Sequence, residues 1–195
     1  MHYLGNDITS APHDYRVTNP YVEPVLVVNT TNNVDDGTCD AAHCSLCEAI
    51  DAVNGGAAHI VEFSIPTTDA GFDGAVWTIA PTSALPTITE RIELRGRSQR
   101  DNRGDTNPQG PEVVVDGSSA PAGSNGLTLS GVSSALVQEL VISGWGTYGI
   151  RAETSISLDV LGCYVGTDAT EKPRASRSMM TVNSRFISVY PRRVP

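Results

Sequence analysis

Short apolar segments recur along the second half of the chain at nearly even spacing. Each segment is three or four residues long, and Gly, Ser, Asn or Thr separates it from the next. Three groups of three segments begin near Val76, Gly126 and Gly149. Between the last two groups, Gly126 lies 23 residues before Gly149, and Gly144 lies 22 residues before Gly166. A single group cannot bury its own apolar face, so we expect the groups to stack on one another.

Three short strands in each repeat of 20-odd residues are typical of a right-handed parallel β-helix, or solenoid. We therefore predict an all-β chain of about four rungs, closed at one end by a short N-terminal capping helix. The main alternative is a stacked sandwich of hairpins, which needs two-residue reversal turns between neighbouring strands. Asp36-Gly37 and Asp116-Gly117 fit such turns, but turns of this kind are few in the sequence.

A short capped helix is predicted just after residue 44. Ser45 and Glu48 have the spacing of a capping box, in which the Ser45 hydroxyl accepts from the Glu48 N–H and the Glu48 carboxylate accepts from the Ser45 N–H. Gly55 would end the helix. A helix this short is not stable alone, so it must pack on an apolar surface. The predicted cap residues are Ser45, Leu46, Glu48 and Ile50, with Ala49 and Val53 on the same apolar face.

The sequence divides into four parts. Residues 1–24 are polar and interrupted by proline, which predicts an irregular lead-in. Residues 25–66 form the N-terminal cap, with a strand, a cysteine loop, a helix and a second strand. Residues 67–170 form the rungs, interrupted by a polar loop at 97–112 that is expected to protrude. Residues 171–195 form a basic tail that departs from the repeat, as a disordered or truncated end would.

The four cysteines allow three pairings. Cys39 and Cys44 are close enough along the chain for a local disulfide, which would indicate an oxidising compartment. A zinc site made by Cys39, His43, Cys44 and Cys47 is the alternative, although the spacing does not follow the usual ligand pairs. The pairing of Cys47 and Cys163 stays open at this point.

The formal net charge of −9 is unevenly distributed. Residues 1–171 carry 7 basic against 22 acidic residues, a balance of −15, whereas residues 172–195 carry 6 basic residues. An acidic body repels nucleic acid and anionic membranes, so we expect neither as a partner. No apolar run has the length of a membrane span, so no membrane insertion is expected. Residues 1–23 lack the apolar core of a secretion signal, so we expect that either export information lies outside this chain or the start is not the natural one.

Residues 25–54 resemble the N-terminal module of bacterial surface and secreted proteins that is called the CSLREA domain. The family core Cys-Ser-Leu-Arg-Glu-Ala corresponds here to residues 44–49, and the flanking Val-Asn-Thr-Thr and Asp-Asp-Gly-Thr-Cys-Asp are similar too. Residues 92–96 and 164–168 resemble the β-helix that commonly follows that module. In two places the chain departs from the pattern: Cys47 replaces the family's Arg, and Cys163 replaces an Asn.

The resemblance covers about residues 25–170 and implies a pectate-lyase-like right-handed β-helix. It also implies a bacterial protein that is extracellular or at the cell surface, as part of a longer surface protein. It implies no assured activity. The departure at Cys47 removes a cation beside Glu48 and adds a third thiol to that region.

Charged side chains on the predicted rungs are the first candidates for catalysis. A polysaccharide lyase needs clustered carboxylates around Ca²⁺ and a nearby base, and a glycosidase needs two carboxylates about 5–9.5 Å apart. The candidates do not recur at matched positions in successive repeats, so no catalytic residue and no metal ligand is predicted. They are Glu93, Asp116, Glu139, Arg151, Glu153, Asp159 and Asp168.

One acidic patch in the cap has the oxygen ligands that Ca²⁺ prefers. It combines Asp35, Asp36 and Asp40 with Asn32 and Asn33. The spacing of an EF-hand loop is missing, so a solvated turn is the favoured interpretation and no cofactor is predicted.

Aromatic residues beside glycines suggest a surface that contacts sugar, because aromatic faces stack on sugar rings. Trp145, between Gly144 and Gly146, is the best placed of them, and Trp77 belongs to the same group. Packing at rung corners is the alternative interpretation. The predicted ligand-binding residues are Trp145, Tyr148, Arg151 and Tyr164.

The sequence predicts a non-catalytic extracellular or cell-surface β-helix module for adhesion, display or glycan binding. Its expected partner is a polysaccharide or surface glycan. The first alternative is a polysaccharide lyase or glycoside hydrolase of the pectate-lyase-like fold, or a fragment of one. The second is a structural spacer whose partner domains lie beyond this chain.

Overall fold

The structure, a computed structural model, describes residues 23–154 and 157–166, and the strand backbone alone at 180–182 and 187–190. The predicted lead-in, apart from its last two residues, lies outside the described residues. The same holds for Asp168 and for most of the predicted basic tail.

The described part of the chain contains two α-helices and thirteen strands. Helix α1 spans Leu46–Asn54 and helix α2 spans Arg97–Arg103. Neither helix has the length and hydrophobicity needed to cross a bilayer. The strands are β1 (Val25–Val28), β2 (Ile60–Phe63), β3 (Trp77–Ile79), β4 (Ile92–Arg95), β5 (Val113–Asp116), β6 (Leu127–Ser130), β7 (Ala135–Gln138), β8 (Val141–Ser143), β9 (Ile150–Glu153), β10 (Leu158–Leu161), β11 (Tyr164–Val165), β12 (Met180–Val182) and β13 (Ile187–Tyr190).

The strands form three parallel sheets. Sheet A has the order β1-β2-β4-β7-β10-β13, sheet B has the order β11-β8-β5-β3, and sheet C has the order β12-β9-β6. From β2 onward, consecutive strands belong to different sheets, so that β6 lies in sheet C, β7 in sheet A and β8 in sheet B. The paired strands are parallel throughout, which excludes the sandwich of hairpins for these residues and confirms a β-rich chain with few helices.

The register between strands β6–β8 and strands β9–β11 is the same in all three sheets. In sheet C Leu127 pairs with Ile150, in sheet A Ala135 pairs with Leu158, and in sheet B Val141 pairs with Tyr164. Each pair is 23 residues apart (150 − 127, for example), which agrees with the spacing of Gly126 and Gly149 in the sequence. Since the side-chain period of a strand is two, this shared offset keeps every inward residue above another inward residue.

The core is a set of aliphatic stacks inside the three sheets. In sheet A, Val61, Leu94, Val137 and Val160 occupy the same register position on four neighbouring strands, and all four are buried. Burying one such side chain contributes about 1.5–3 kcal/mol. Because each residue covers the next, the apolar face of one repeat is buried by its neighbours.

Helix α1 packs its apolar face on the core next to strand β1. The buried residues of the helix include Leu46, Ala49, Ile50 and Val53, and all of them belong to the main core cluster. The backbone N–H of Asn29, directly after β1, donates to the carbonyl of Cys44. The helix therefore covers the part of the core that lies beside β1.

The segment at 97–112 differs from the protruding loop that the sequence predicts. Its first half is helix α2, which packs against β2. The Ser98 hydroxyl accepts from the Phe63 N–H, and the Gln99 side chain both donates to the Ile65 carbonyl and accepts from its N–H. Two polar side chains thus pair backbone groups that a further strand would otherwise pair.

Two segments of the predicted basic tail pair with the sheets. Strand β12 is parallel to β9, and β13 is parallel to β10. The repeat therefore continues there, although the sequence pattern does not. Parallel pairing depends on backbone groups that every residue except proline provides, and this pairing does not need a clear apolar pattern.

Gly96 allows the close approach of neighbouring repeats, and we predict that Gly96→Ala destabilises the fold by about 2 kcal/mol or more. A Cβ at this position would overlap the backbone carbonyl oxygens of Gln138 and Glu139. Gly55→Ala is the matched control, because its φ is −78° and its Cβ would meet ordinary contacts at 3.5 Å. Chemical denaturation should separate the two variants, and equal unfolding midpoints would contradict the close approach.

Candidate functional site

The outer face of sheet C carries a row of polar side chains. Thr128 and Ser130 of β6 and Arg151 and Glu153 of β9 alternate with buried residues, so they point away from the core. The inward residues of the same strands are Leu127, Leu129, Ile150 and Ala152. The strict alternation of the two strands, in the same register, aligns the polar side chains.

These polar side chains line a groove with a volume of about 580 Å³. Thr128 pairs with Arg151 and Ser130 with Glu153 across the two strands. The segments 84–87 and 122–125 form the walls. Among the wall residues, Asn125 donates through Nδ2 to the Thr128 hydroxyl at 3.3 Å.

Charge in the groove is balanced. The Arg151 guanidinium donates to the Glu153 carboxylate within β9, and each side chain stays close to half exposed. Among the described residues that line the groove, Glu153 is the one carboxylate. The groove therefore presents hydroxyls, an amide and a neutralised ion pair to a ligand.

Of the four predicted ligand-binding residues, the structure places Arg151 in this groove. Trp145 lies at the corner between sheets B and C, where its Nε1 donates to the Val115 carbonyl at 3.2 Å. A Cβ on Gly117 would overlap the Trp145 ring, so the ring lies flat against that turn. Tyr148 is half-buried in the same corner.

The other aromatic residues lie against the protein. The sequence groups Trp77 with the exposed aromatics, but it is fully buried, stacks on Phe72 and donates to the Pro66 carbonyl. Tyr164 is 9% exposed, and its hydroxyl donates to the Gln109 carbonyl at 2.7 Å. The expectation that Trp77 and Tyr164 are exposed for sugar contact is therefore wrong. Both rings pack against the sheets, because neighbouring loops supply hydrogen-bond partners for their polar atoms.

The candidate carboxylates are spread over several places. Glu93 contacts Arg91 and Arg95 on sheet A, and Asp116 accepts from the backbone and hydroxyl of Ser118 in a turn. The remaining positions are Glu139 at the corner between β7 and β8, Asp159 on the outer face of β10, and Glu153 in the groove. Glu93 thus forms ion pairs and Asp116 stabilises a turn.

Sequence reasoning missed Thr128, Ser130 and Asn125 as groove residues. The alternation of residues 127–130 was visible, and the 23-residue offset would have aligned Thr128 with Arg151. No sequence pattern indicated that residues 84–87 and 122–125 form the walls of the groove, because their position depends on how the connections between strands fold over sheet C.

The cysteine loop is closed by a disulfide between Cys39 and Cys44, which confirms that predicted pair. Because both sulfurs are bonded to each other, the zinc site of Cys39, His43, Cys44 and Cys47 is excluded. Cys47 and Cys163 are free thiols. Burial raises the pKa of Cys47, and it raises the pKa of Cys163 to about 12, so both stay protonated at neutral pH.

Asn29 holds the loop onto β1. Its Nδ2 donates to the carbonyls of Asp40 and Ala41, and its Oδ1 accepts from the Cys44 N–H at 2.8 Å. The acidic patch in the loop is formed of turns: Asp35, Asp36 and Asp40 accept from backbone N–H groups two or three residues ahead. These bonds are the solvated-turn arrangement that the sequence favours.

The capping box of α1 has both of its hydrogen bonds. The Ser45 hydroxyl accepts from the Glu48 N–H at 3.3 Å, and Glu48 Oε2 accepts from the Ser45 N–H at 2.7 Å. Glu48 Oε1 also accepts from the Asp36 N–H at 2.8 Å. Burial alone would raise the pKa of Glu48, but the hydrogen bonds from Ser45 and Asp36 and the charge of His43 lower it below the usual value.

His43 completes this buried arrangement. Its Nδ1 lies 3.0 Å from Glu48 Oε2 and 3.5 Å from Asp36 Oδ2. Its Nε2 lies 3.0 Å from Asn32 Oδ1, which also accepts from the Val34 N–H. Atoms of Asp36, His43 and Glu48 lie within 4.8 Å of one another, as in a three-ligand cation site. Glu48 already accepts two backbone hydrogen bonds, so the trio serves to join the loop to α1.

We predict that Glu48→Gln lowers the free energy of unfolding by about 2 kcal/mol at pH 7, because an amide NH₂ would face the N–H groups of Ser45 or Asp36. Glu90→Gln, an exposed change of the same chemistry, is the control and should leave the unfolding midpoint unchanged. Urea denaturation measures both. A Glu48→Gln variant as stable as the control would contradict the role of this carboxylate.

The lowered pKa of Glu48 also predicts that the stability of the protein depends on pH in the acidic range. Since the pKa of Glu48 is lower in the folded state than its usual 4.5, its contribution is complete above about pH 4.5 and is lost as pH falls through the folded-state value. Between pH 5 and pH 3 the wild-type protein should therefore lose more stability than Glu48→Gln. Parallel stability curves for the two proteins would exclude this linkage.

Comparison with known proteins found no relative. No family model matches the chain. No curated protein and no solved structure matches it. The resemblance of residues 25–54 to the CSLREA module therefore stays a prediction, and the function has to be argued from the groove and the cap themselves.

Proposed function

We propose that this chain is a right-handed parallel β-helix module of an exported bacterial surface protein, and that it binds a glycan without transforming it. The architecture is supported by three parallel sheets among which strands β6–β11 follow one another in turn, with a common offset of 23 residues. Connections between parallel strands are right-handed in nearly all proteins, which supports the proposed hand.

Export is supported by two features of the cap. The Cys39–Cys44 disulfide is typical of an oxidising compartment. The loop it closes belongs to the segment that resembles the CSLREA module. An acidic chain of net charge −9 also suits a protein that does not need an anionic partner.

The single observation that carries glycan binding is the groove on sheet C. Sugar hydroxyls both donate and accept hydrogen bonds, and the outward row of Thr128, Ser130, Arg151 and Glu153 offers both functions side by side. The groove, with a volume of about 580 Å³, is open to solvent and lined mostly by polar atoms, which suits a hydroxyl-rich ligand. Because Glu153 neutralises Arg151, an uncharged saccharide fits the groove better than a uronate.

Binding without transformation follows from the composition of the groove. A two-carboxylate hydrolysis needs a second acid facing Glu153. A lyase needs a base that is free to take a proton, whereas the Arg151 guanidinium is bound to Glu153. We therefore prefer a binding module over the enzyme.

We predict that the protein binds a neutral oligosaccharide on a glycan array, and that Arg151→Ala weakens the binding about 10–100-fold, since a hydrogen bond to a charged group contributes roughly 1.5–3 kcal/mol. Arg91→Ala is the matched control, because Arg91 forms a similar ion pair with Glu93 on a different sheet. Calorimetric titration with the best array ligand gives the affinities, and circular dichroism checks the fold of each variant.

Three results would contradict the proposal. If no glycan binds, the module is a spacer or a protein-adhesion domain. If Arg151→Ala and Arg91→Ala bind equally well, the groove on sheet C is not the site. New reducing ends or unsaturated products during the titration would favour the hydrolase or lyase over the binding module.

A further inference from the structure

Glu112 is a buried carboxyl group with no hydrogen-bond partner in another residue. The residue is 0% exposed, and both of its carboxylate oxygens lie in the interior without a donor from elsewhere in the described chain. It comes directly before β5, where its own carbonyl accepts from the Trp77 N–H. An ionised carboxylate in such surroundings costs far more than a neutral carboxylic acid.

The charged groups around Glu112 do not compensate for this burial. Arg100 of α2 faces it, but Arg100 Nη2 already lies 3.4 Å from Glu139 Oε2. Glu139 and Asp105 also face Glu112, and both carry the same charge. Burial is the largest effect and raises the pKa of Glu112 to about 7. The backbone N–H of Glu112 and the charge of Arg100 lower this pKa, whereas the charges of Asp105 and Glu139 raise it further.

Residues 104–112 form a strap that runs across the outer face of sheet B. The strap starts at Gly104, which has a φ of 95° and ends α2. At one side the Thr106 hydroxyl donates to the Ala75 carbonyl at 2.7 Å. At the other side the Gln109 carbonyl accepts from the Tyr164 hydroxyl. Within the strap, Asn107 is buried and its Nδ2 donates to the Pro111 carbonyl.

The strap spans an apolar row that is separate from the main core. Val114, Val141 and Tyr164 lie in the same register on β5, β8 and β11, and Val76 joins them just before β3. All four are nearly or fully buried. These side chains alternate with the inward residues of sheet B, such as Val113 and Val115, so they face outward beneath the strap.

We propose that residues 104–112 act as a pH-controlled strap, which is closed while Glu112 carries its proton and opens when Glu112 ionises, exposing the row Val76, Val114, Val141 and Tyr164. No residue of the strap belongs to a helix or a strand, so the ionised carboxylate reaches water by lifting the strap, without unfolding the sheets. This proposal is independent of glycan binding at sheet C.

The direction and size of the effect follow from linkage. The closed strap holds the Glu112 proton up to about pH 7, whereas an open strap releases it at the usual value of 4.5. The closed form is therefore favoured below pH 4.5 and loses its advantage as pH rises towards 7. Between pH 5.5 and pH 8.5 the equilibrium constant for opening should increase about 30-fold.

Hydrogen–deuterium exchange on the whole protein tests the strap. After correction for intrinsic rates, protection of residues 104–112 should fall about 30-fold from pH 5.5 to pH 8.5, while strands β7 and β8 keep theirs. In Glu112→Gln, which stays neutral, protection of the strap should be the same at both pH values. Glu90→Gln, on the exposed surface, should behave as the wild type.

Two further measurements keep the test decisive if Glu112→Gln folds poorly. Carboxyl carbon NMR of the wild-type protein should show Glu112 titrating well above the other glutamates. Tyr164→Phe removes the hydrogen bond to Gln109, so it should lower strap protection at both pH values and keep the 30-fold pH effect. A strap whose protection does not change with pH, a Glu112 that titrates near 4.5, or an unchanged pH effect in a folded Glu112→Gln would each overturn the proposal.

Discussion

Hydrogen bonding between parallel strands of successive repeats is the constraint on which the rest of the structure depends. Between strands β6–β8 and strands β9–β11 the offset of 23 residues is the same in sheets A, B and C, so the connections between the sheets are equally long in these two repeats. A slip of one residue in one sheet would turn its apolar residues outward. Longer connections are tolerated only where they leave this register intact, as α2 and the strap do between β4 and β5.

A stack of parallel strands leaves unpaired backbone and uncovered apolar residues wherever the stack is interrupted. The chain meets this need with side chains as well as with strands. The loop before α1 is held by Asn29 and by the buried Glu48, and α2 uses Ser98 and Gln99 to pair the backbone of residues 63 and 65. Glu48, Ser98 and Gln99 are buried because they replace missing strand partners, so their conservative substitution should affect stability more than any binding activity.

Glu112 and Glu48 are two buried glutamates with opposite behaviour. Glu48 accepts hydrogen bonds from two backbone N–H groups, and its pKa is lowered in spite of burial. The Glu112 carboxylate accepts none from any other described residue, and its pKa is raised. Burial alone therefore does not decide the charge of a carboxyl group; the supply of donors does. Glu48 stabilises the cap at neutral pH, and Glu112 makes the proposed strap sensitive to pH.

The sequence by itself determined the β-rich repeat, the capping box of Ser45 and Glu48, and the Cys39–Cys44 pair. These features depend on residues near one another in the chain, or on a spacing that repeats, so the pattern contains them. Only the tertiary structure decided that Trp77 and Tyr164 are buried, that Arg151 joins Thr128 in a groove, and that Glu112 lacks a donor. Those properties depend on which loop folds over which sheet, and residues far apart in the chain set them together.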